Sequence, residues 1–413
     1  MTSAERKEAR FQRRKAKRLE KKEKFQSSLP SFNEIFTMNN LEKGFRSCKA
    51  GVRWKSSIQG YEADLPINLH ISYNALMNRT WKTKGFTKFV IMERGKLRHI
   101  KSVHISERVI QNTFCDHYLV PLLRKNIIYD NSASLKGRGT DFAIERLRHF
   151  LIKYYNEYGS NDGFAGIIDF SDYFGSIPHN RLYEVVDDKL VDEDCKRLYH
   201  QFIDVFEEDG KKVGLGLGSQ VNQISAVTYP NRLDHLMKDQ LGLKYYGRYM
   251  DDTIILHPSK EKIREVFEIF KKESEKLGLT IKPNKMKILK LSNGFTYLKK
   301  RFRLTKDGKV IIRLTSKNIN VERRKIKKLR KKYDNHILNY EHCSQAYFSY
   351  RGMALKYKNY YNVRQLDKLF YEVFIKEDMK KGHLSKAQHK DLTTISKSIR
   401  GGNFYGSKYK IAL

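Results

Sequence analysis

Long apolar runs are absent from this sequence of 413 residues. No segment comes near the roughly 20 consecutive apolar residues that a membrane-spanning helix needs. The N-terminal stretch RKEARFQRRKAKRLEKKEK contains none of the apolar core that marks a secretory leader. We therefore expect a cytoplasmic protein that has no membrane partner.

Cysteine and proline are also scarce. The four cysteines, Cys48, Cys115, Cys195 and Cys343, stand far apart and form no C-x-x-C pair. This spacing indicates neither a zinc site nor a disulfide framework, so we expect reduced thiols. With only seven prolines, no internal repeat and no low-complexity linker, the chain is expected to form compact subdomains without long tethers.

Acidic residues are few relative to basic ones. There are 46 Asp and Glu against 82 Lys and Arg, which gives a formal net charge of +36. An excess of this size favours a polyanion partner over a merely solvated surface, and nucleic acid over a membrane. Hydrophobic residues make up 40% of the sequence, enough for a large core. The length suggests about two or three subdomains.

The pattern of residues divides the chain into four segments. Residues 1–30 form a basic N-terminal arm, either a solvated helix or a disordered segment. Residues 31–163 mix short strand-like and helical patterns. Residues 164–303 run strand, helices, hairpin, helix and strand, which is the order of a split βαβ sheet. Residues 304–413 are basic and helical, and eight of the twelve residues at 321–332 are Lys or Arg.

Three aspartates are the candidate metal ligands. Asp169 directly follows the strand-like run FAGII, and Asp251 and Asp252 stand at the tip of a predicted hairpin between apolar strands. Nucleotidyl transfer needs two divalent cations about 4 Å apart, and hard cations prefer carboxylate oxygens. Adjacent strands would bring these carboxylates to one pair of ions. The other Asp-Asp pair, Asp187 and Asp188, lies in a helical segment and is better explained as a solvated face.

Several motifs, in this order, resemble those of the reverse transcriptase family. The segment YMDD ending at Asp252 resembles the catalytic hairpin of the family, and IIDFSDYFGSIP around Asp169 resembles its first palm motif. The other similarities are two fingers motifs (KLR at 96–98 with ERVIQ at 107–111, and LKGRGTDFAI at 135–144), a lysine motif (LTIKPNK at 279–285) and a primer-grip hairpin (FTYL at 295–298). The resemblance extends over about residues 85–370.

This resemblance implies an α+β fold of the right-hand polymerase type, with an antiparallel split βαβ palm. The four segments then become the arm, the fingers, the palm and a helical thumb. The implied activity is that of an RNA-directed DNA polymerase that takes deoxynucleoside triphosphates and makes DNA. Asp169, Asp251 and Asp252 would be its catalytic residues. Together with the backbone of Phe170 they would hold two Mg²⁺ ions, with Mn²⁺ as the alternative.

The resemblance also assigns residues to the nucleotide and to the nucleic acid. Phe174 stands where a bulky ring excludes a ribose 2′-hydroxyl, and its alternative reading is a core aromatic. Lys285 either protonates the leaving pyrophosphate or covers a sheet. The residues expected at the nucleotide are Arg98, Lys136, Arg138, Phe174, Gln220 and Lys285. Those expected at the nucleic acid are Gly218, Tyr249, Arg323, Arg324, Lys327 and Lys328.

The glycine-rich segment GLGLGSQVNQ at 214–223 departs from the pattern of many bacterial relatives. Leu217 stands where group II intron and retron enzymes place glutamine, and Asn222 with Gln223 replaces their Ser-Pro. In this respect the chain looks closer to diversity-generating retroelement enzymes and to the abortive-infection and unknown-group defence reverse transcriptases. Glycines here would let the backbone approach template and nucleotide closely. The resemblance implies a prokaryotic antiphage enzyme that works with a non-coding RNA.

Three alternatives stay open at this point. The segment NALMN at 74–78 lacks the histidine of the retron Asn-Ala-x-x-His element, which leaves a retron or diversity-generating retroelement enzyme as second choice. A catalytically idle RNA-binding protein would explain the charge, although buried acids in a basic groove are costly without a metal. Phe174 argues against an RNA-dependent RNA polymerase. The sequence leaves the template, the primer and a homo-oligomeric state undetermined.

Overall fold

The fold was analysed in a computed structural model, which describes residues 2–93, 96–207, 210–380, 382 and 384–400. The chain mixes helices with short antiparallel sheets, which confirms the α+β fold class. It divides into two compact units, Met1–Leu147 with Gly166–Ile288 and Arg148–Ala165 with Leu289–Leu413. The predicted boundaries of arm, fingers, palm and thumb stay predictions.

The elements before residue 205 are mostly helical. They are α1 (Ser3–Ser27), α2 (Phe32–Ile35), α3 (Met38–Lys49), α4 (Ser56–Ala63), α5 (Leu65–Met77), β1 (Phe86–Glu93), β2 (Lys96–Val103), α6 (Ile105–Phe114), α7 (Val120–Arg124), α8 (Thr140–Tyr158), β3 (Phe164–Asp169), α9 (Tyr173–Ser176), α10 (His179–Val186) and α11 (Glu193–Asp204). A π-helical turn at Cys115–Leu119 joins α6 to α7.

The later elements include the acidic hairpin, formed by β4 and β5, and the C-terminal helices. They are α12 (Gln220–Thr228), α13 (Asn231–His235), β4 (Tyr246–Tyr249), β5 (Asp252–His257), α14 (Lys260–Lys276), β6 (Met286–Lys290), β7 (Phe295–Tyr297), β8 (Lys300–Leu304), β9 (Val310–Leu314), α15 (Ser316–Asp334), α16 (Tyr340–Lys356), α17 (Tyr360–Phe370), α18 (Glu377–Lys380) and α19 (Lys386–Ile399). Further π-helical turns lie at Leu236–Gln240 and Tyr371–Lys376, and a 3₁₀ turn lies at Pro283–Lys285.

Three small sheets are formed. β1 and β2 make a two-stranded hairpin, β4-β5-β3-β6 is the order of a four-stranded sheet, and β7-β8-β9 is the order of a three-stranded sheet. In the four-stranded sheet β3 lies between β5 and β6, although the chain reaches β4 and β5 only after five α-helices, α9 to α13. This crossover is the split βαβ arrangement that the sequence predicts.

The N-terminal arm is a helix. α1 begins at a capping box, in which the Thr2 hydroxyl accepts from the Glu5 amide and the Glu5 carboxylate accepts from the Thr2 amide. No residue of α1 is buried. Of the two alternatives for the arm, the structure therefore shows the solvated helix.

Two helices form the centre of the first unit. Eight of the ten residues of α6 and seven of the nine residues of α12 are buried, and the two helices pack against each other. Helices enclosed on every side have no need of a polar face. The two helices are joined by a polar contact at the N-cap of α12, where the Ser219 hydroxyl donates to the Gln111 amide oxygen on α6 at 2.9 Å.

The second unit has its own aromatic core. The Tyr347 and Phe370 rings stack with their centroids 4.6 Å apart, and Phe370 stacks in turn on Phe374 at 4.8 Å. Ile326 on α15 and Ile395 on α19 are fully buried in the same cluster. Helices α15, α16, α17 and α19 therefore share one core, which keeps the basic side of α15 outside it.

All four cysteines carry free thiols. Burial raises the pKa of Cys48 to about 11, and burial also raises the pKa values of Cys115, Cys195 and Cys343 above the ordinary thiol value. Over the described ranges, no helix combines the length and the apolar composition that a bilayer crossing requires.

Candidate active site

The Asp251-Asp252 pair lies on a tight hairpin. β4 and β5 pair in antiparallel fashion with Tyr249 opposite Asp252, which leaves Met250 and Asp251 as the two turn residues. Met250 has a φ of +53°, the left-handed region that two-residue hairpin turns often require. Asp251 and Asp252 are both half-buried. The hairpin predicted from the sequence is confirmed, with the acids at its tip.

The neighbouring strand supplies the third aspartate. β3 ends at Asp169 and lies directly beside β5, which begins at Asp252. The strand that ends at Asp169 and the strand that begins at Asp252 are thus neighbours in one sheet. The backbone continues from Asp169 into the buried Phe170.

Lys285 is the ion-pair partner of Asp169. Its ammonium group contacts a carboxylate oxygen of Asp169, and the two side chains are 38% and 29% exposed. Lys285 reaches this position from the 3₁₀ turn before β6, the other neighbour of β3. Lys285 therefore contacts one of the candidate metal ligands, while both of its expected roles, protonation of the pyrophosphate and cover for a sheet, stay predictions.

The carboxylates of Asp169, Asp251 and Asp252 are chemically suited to Mg²⁺ or Mn²⁺, which bind oxygen ligands. In the part of the chain that the structure describes, no three side chains of the His, Cys, Asp and Glu types lie close enough to hold an ion together. The geometry shown is that of a site in which a lysine neutralises Asp169. The metal-ligand assignment, including the Phe170 backbone, stays a prediction.

Phe174 is held by the glycine-rich segment. The Leu215 amide donates to the Phe174 carbonyl at 2.7 Å, and the Gly214 amide donates to the Ile177 carbonyl at 2.8 Å. Gly214 has a φ of +96°, and a Cβ there would lie 3.2 Å from the Gly175 carbonyl oxygen. The close approach of these two backbones therefore requires glycine. It fixes the backbone of Phe174, whose side chain is half-buried.

The expectation that the glycines face nucleic acid needs a correction at Gly216. A Cβ at Gly216 would lie 1.8 Å from Cε1 of Phe206, so this glycine makes room for a protein ring. Gly218 differs, since it is exposed and the nearest atom to its missing Cβ is the Lys101 carbonyl oxygen at 3.8 Å. Gly218 thus keeps the open surroundings that contact with nucleic acid requires.

Arg138 is engaged within the protein. Its guanidinium donates to the Ile128 and Asn131 carbonyls at 3.2 and 2.6 Å and lies over the rings of Tyr129 and Phe142. Burial lowers the pKa of Arg138 from its ordinary value. The side chain therefore braces the loop before α8 in this conformation, and its contact with a triphosphate stays a prediction.

The other residues predicted to bind a nucleotide are less constrained. Lys136 is exposed, and the Gln220 amide nitrogen lies 3.5 Å from an Asp116 carboxylate oxygen. Arg98 belongs to strand β2, but its side chain lies outside the described residues. Tyr249, which is predicted to contact the nucleic acid, has a hydroxyl that accepts from the Thr140 hydroxyl at 3.4 Å.

The four basic residues predicted on α15 are all exposed. Arg323, Arg324, Lys327 and Lys328 recur at a spacing of one and four residues, which places them on one helix face. The opposite face of α15 buries Glu322 and Ile326 in the second unit.

Sequence reasoning missed a buried ion pair next to the hairpin. Arg248 on β4 is 1% exposed, and its guanidinium binds the fully buried carboxylate of Asp234 on α13. Burial lowers the pKa of Arg248, but the Asp234 carboxylate more than offsets this and raises it. The one feature of the sequence that could have indicated this pair is the single arginine in the predicted strand before Tyr249.

Comparison with known protein families identifies a match. The sequence profile described as reverse transcriptase (RNA-dependent DNA polymerase) matches residues 82–299. No protein in the comparison with curated sequences matched significantly.

Telomerases are among the similar solved structures. The Candida albicans telomerase, solved with a TWJ fragment of telomeric RNA, aligns at 11% identity and a TM-score of 0.45, over 85% of this chain and 69% of that chain. The apo telomerase of Candida tropicalis aligns at 14% and 0.42, over 77% and 62%. A C-terminally truncated form of the latter aligns at 15% and 0.41, over 55% and 54%. The chain thus spans about half to two thirds of these structures.

The family profile covers the acidic hairpin, the strand that ends at Asp169 and the glycine-rich segment, and it extends over more than half of the sequence. This match agrees with the reverse transcriptase motifs found in the sequence. The chain belongs to the reverse transcriptase family, the RNA-dependent DNA polymerases.

Proposed function

We propose that this chain is an RNA-directed DNA polymerase that extends a primer by a two-metal mechanism. The observation that carries the proposal is the acidic hairpin tip, Asp251 and Asp252, on the strand next to the one that ends at Asp169. The substrates are deoxynucleoside triphosphates and an RNA template, and the product is DNA.

In this proposal the three aspartates and the Phe170 carbonyl hold two Mg²⁺ ions, with Mn²⁺ as the alternative. Bound ions would lower the pKa of the primer hydroxyl and stabilise the charge of the leaving pyrophosphate. Asp169 must first release the ammonium group of Lys285, which then lies free beside the site to meet phosphate oxygens. Phe174 excludes the ribose 2′-hydroxyl.

We further propose that the nucleic-acid partner includes a non-coding RNA and that the enzyme serves antiphage defence in a bacterial cytoplasm. The net charge of +36 supports an RNA partner of substantial size. The departures in the glycine-rich segment, Leu217 and Asn222-Gln223, support the defence-associated subgroup. Sequencing the RNA and DNA that copurify with the protein tests both statements. Copurified RNA that maps only to random cellular transcripts would contradict the dedicated RNA partner.

Primer extension tests the polymerase activity and its metal site. The double variant Asp251→Asn with Asp252→Asn should abolish extension on primed RNA, because amides hold divalent cations poorly. RNA binding should stay nearly intact, since lysine and arginine meet the phosphates. Robust synthesis by this variant would reject the metal site.

The chain offers a matched control in its other Asp-Asp pair. Asp187 and Asp188 follow directly after α10, where Asp187 pairs with His200 and Asp188 is exposed. Replacing both by asparagine changes the net charge by the same amount and should leave extension unchanged. A wild-type protein that binds RNA tightly and extends no primer with either cation would instead support the idle RNA-binding alternative.

A further inference from the structure

Arg248 makes an unusual set of contacts for a strand residue. Its Nε donates to both carboxylate oxygens of Asp234, at 2.8 and 3.0 Å, and Nη2 donates to one of them at 2.7 Å. Nη2 also donates to the Val227 carbonyl at 2.7 Å. The remaining nitrogen, Nη1, donates to the Met250 carbonyl at 2.9 Å. One guanidinium therefore ties α12 and α13 to the turn of the acidic hairpin.

The other ends of this network are fixed as well. The Asp234 carboxylate accepts from the Tyr246 hydroxyl at 2.6 Å. The backbone of Arg248 donates to the Asp130 carbonyl at 3.1 Å and accepts from the Ser132 amide at 2.9 Å. Arg248 thus has little freedom in either its main chain or its side chain. Its hydrogen bond to the turn consequently acts from a rigid base.

The bonded carbonyl belongs to the strained residue of the turn. Met250 has a φ of +53°, which a residue with a side chain adopts only under constraint from its surroundings. The next two residues are Asp251 and Asp252, so a rotation of the Met250 peptide would redirect both carboxylates. A buried ion pair often stabilises a core no more than apolar residues of the same volume would. We therefore expect a role of this pair other than stability.

We propose that Arg248, held by Asp234, is a positioning residue that locks the Met250 turn and so sets the two carboxylates before any ion or nucleotide binds. The inference rests on the proposed polymerase function for its catalytic consequence. The preorganisation itself is a property of the protein alone. It can therefore be measured without activity.

The second unit contains a natural control. There the Arg351 Nε donates to Asp367 at 2.9 Å, and the Tyr347 hydroxyl donates to the same carboxylate at 2.5 Å. This trio has the same three residue types and similar burial, with side-chain exposures of 7% for Arg351 and 0% for Asp367. It lies on α16 and α17, far in sequence from the acidic hairpin.

Two kinds of variant separate positioning from stability. Arg248→Lys keeps the charge beside Asp234 but cannot also reach the Met250 carbonyl, because an ammonium group lacks the planar fork of a guanidinium. The double variant Arg248→Met with Asp234→Leu removes both charges, a change that often preserves stability when volume is kept. Arg351→Met with Asp367→Leu is the matched control double variant.

The first readout is hydrogen–deuterium exchange of the peptide covering residues 246–257 in the metal-free protein. We expect exchange in this peptide to rise about tenfold in Arg248→Lys and in the double variant, since a fixed hydrogen bond is lost. The control double variant should leave this peptide at the wild-type rate. The second readout is primer extension, in which kcat should fall about 100-fold with little change in the KM for nucleotide.

The outcomes distinguish the two proposals. Folded variants with wild-type protection of residues 246–257 would overturn the positioning role. So would a failure of both Arg248 variants to fold, because the pair would then be only a stability element. Equal loss of protection in the control double variant would overturn it too. Wild-type protein that shows the expected exchange pattern but no primer extension would reject the polymerase function and leave the positioning role standing.

Discussion

Phe174 shows how one side chain depends on a distant segment. Its carbonyl accepts from Leu215, and its ring meets the Tyr173 ring edge to face at 5.7 Å. Tyr173 is itself anchored, because its hydroxyl donates to the Ala226 carbonyl at 2.5 Å. Phe174 therefore stands on a stiff support, which a side chain that discriminates between sugars by size requires.

Truncating Phe174 should relax the choice of sugar. We expect Phe174→Ala to lower the preference for deoxyribonucleotides over ribonucleotides by about 10- to 100-fold in kcat/KM, with Phe174→Leu in between. Single-nucleotide incorporation of dCTP and CTP on a primed RNA measures this preference. If wild-type protein already uses both sugars equally, Phe174 is ordinary core packing and the assignment is wrong.

Glu322 is a second residue with a measurable consequence. It is 4% exposed on α15, its nearest cation is the Lys325 ammonium at 3.7 Å, and burial raises the pKa of its carboxyl. Because the pKa is raised in the folded state, the protonated carboxyl makes its full contribution to stability at pH values below the ordinary glutamate pKa. That contribution is lost as the pH rises through the folded-state pKa.

Glu322→Gln should therefore stabilise the second unit at neutral pH, by a few degrees in Tm. The gain should shrink as the pH falls through the raised folded-state pKa towards 4.5, the ordinary glutamate value, and should be absent below it. Thermal unfolding from pH 4 to pH 8 measures the difference, since the glutamine does not titrate. Glu372→Gln is the control, because Glu372 is exposed in the same unit. A difference in Tm that is constant with pH would contradict the burial argument.

At the scale of elements, α1 stands out because it is long and buries none of its residues. It buries no residue, yet residues 1–25 carry eleven Lys and Arg against four Glu, a net charge of +7. A capped helix whose basic side chains are all exposed is well suited to meeting phosphates along its length.

Deleting residues 1–25 should weaken RNA binding and flatten its salt dependence. Each lost phosphate contact lowers the slope of log K against log salt by roughly 0.7–0.9. A salt titration on copurified RNA measures the slope, while extension of a short primed template should continue. For a matched comparison, Lys21→Gln with Lys22→Gln on α1 should lower the slope more than Lys271→Gln with Lys272→Gln on α14. Equal slopes for full-length and deleted chains would show that α1 is a solvated charge run.

The hairpin at Asp251 and Asp252 illustrates what an element reveals through its sequence. Apolar residues on both sides and acids in the middle suffice to predict two strands and their turn, because the signal is local. Arg248 lies inside the same run, but its partner Asp234 is on another element. The local sequence pattern therefore located the two acids, but it did not reveal the Arg248–Asp234 ion pair beside them.

At the scale of the whole chain, the order of motifs predicted the α+β class and the split sheet. The pairing of Gly214 with Ile177 was not predictable, because it joins segments on either side of two helices and leaves no periodic signal. The correction at Gly216 has the same origin, since the ring it accommodates, Phe206, lies ten residues away in a loop after α11. The contact of Lys285 with Asp169 was not predictable either, because it depends on β6 lying next to β3 in the sheet.

The two compact units group residues differently from the four predicted segments, whose boundaries stay predictions. Residues 289–303, predicted as palm, fall with the basic C-terminal helices, and α8 contributes to both units. The boundaries of the units depend on contacts between residues that are far apart in sequence. Composition and local patterns do not predict those contacts. Both units nevertheless use one device, a tyrosine and an arginine on a buried aspartate.

The buried thiols have a practical consequence for spectroscopy. Maleimide and iodoacetamide dyes react with thiolate, and a cysteine with a pKa of about 11, such as Cys48, is thiolate in only about one molecule in ten thousand at pH 7. The other three cysteines are buried, with raised pKa values. A single cysteine introduced at an exposed position of α1, such as Gln12, would therefore carry a fluorophore selectively without removal of the native four. The natural sequence is in this sense already a labelling background for single-molecule observation.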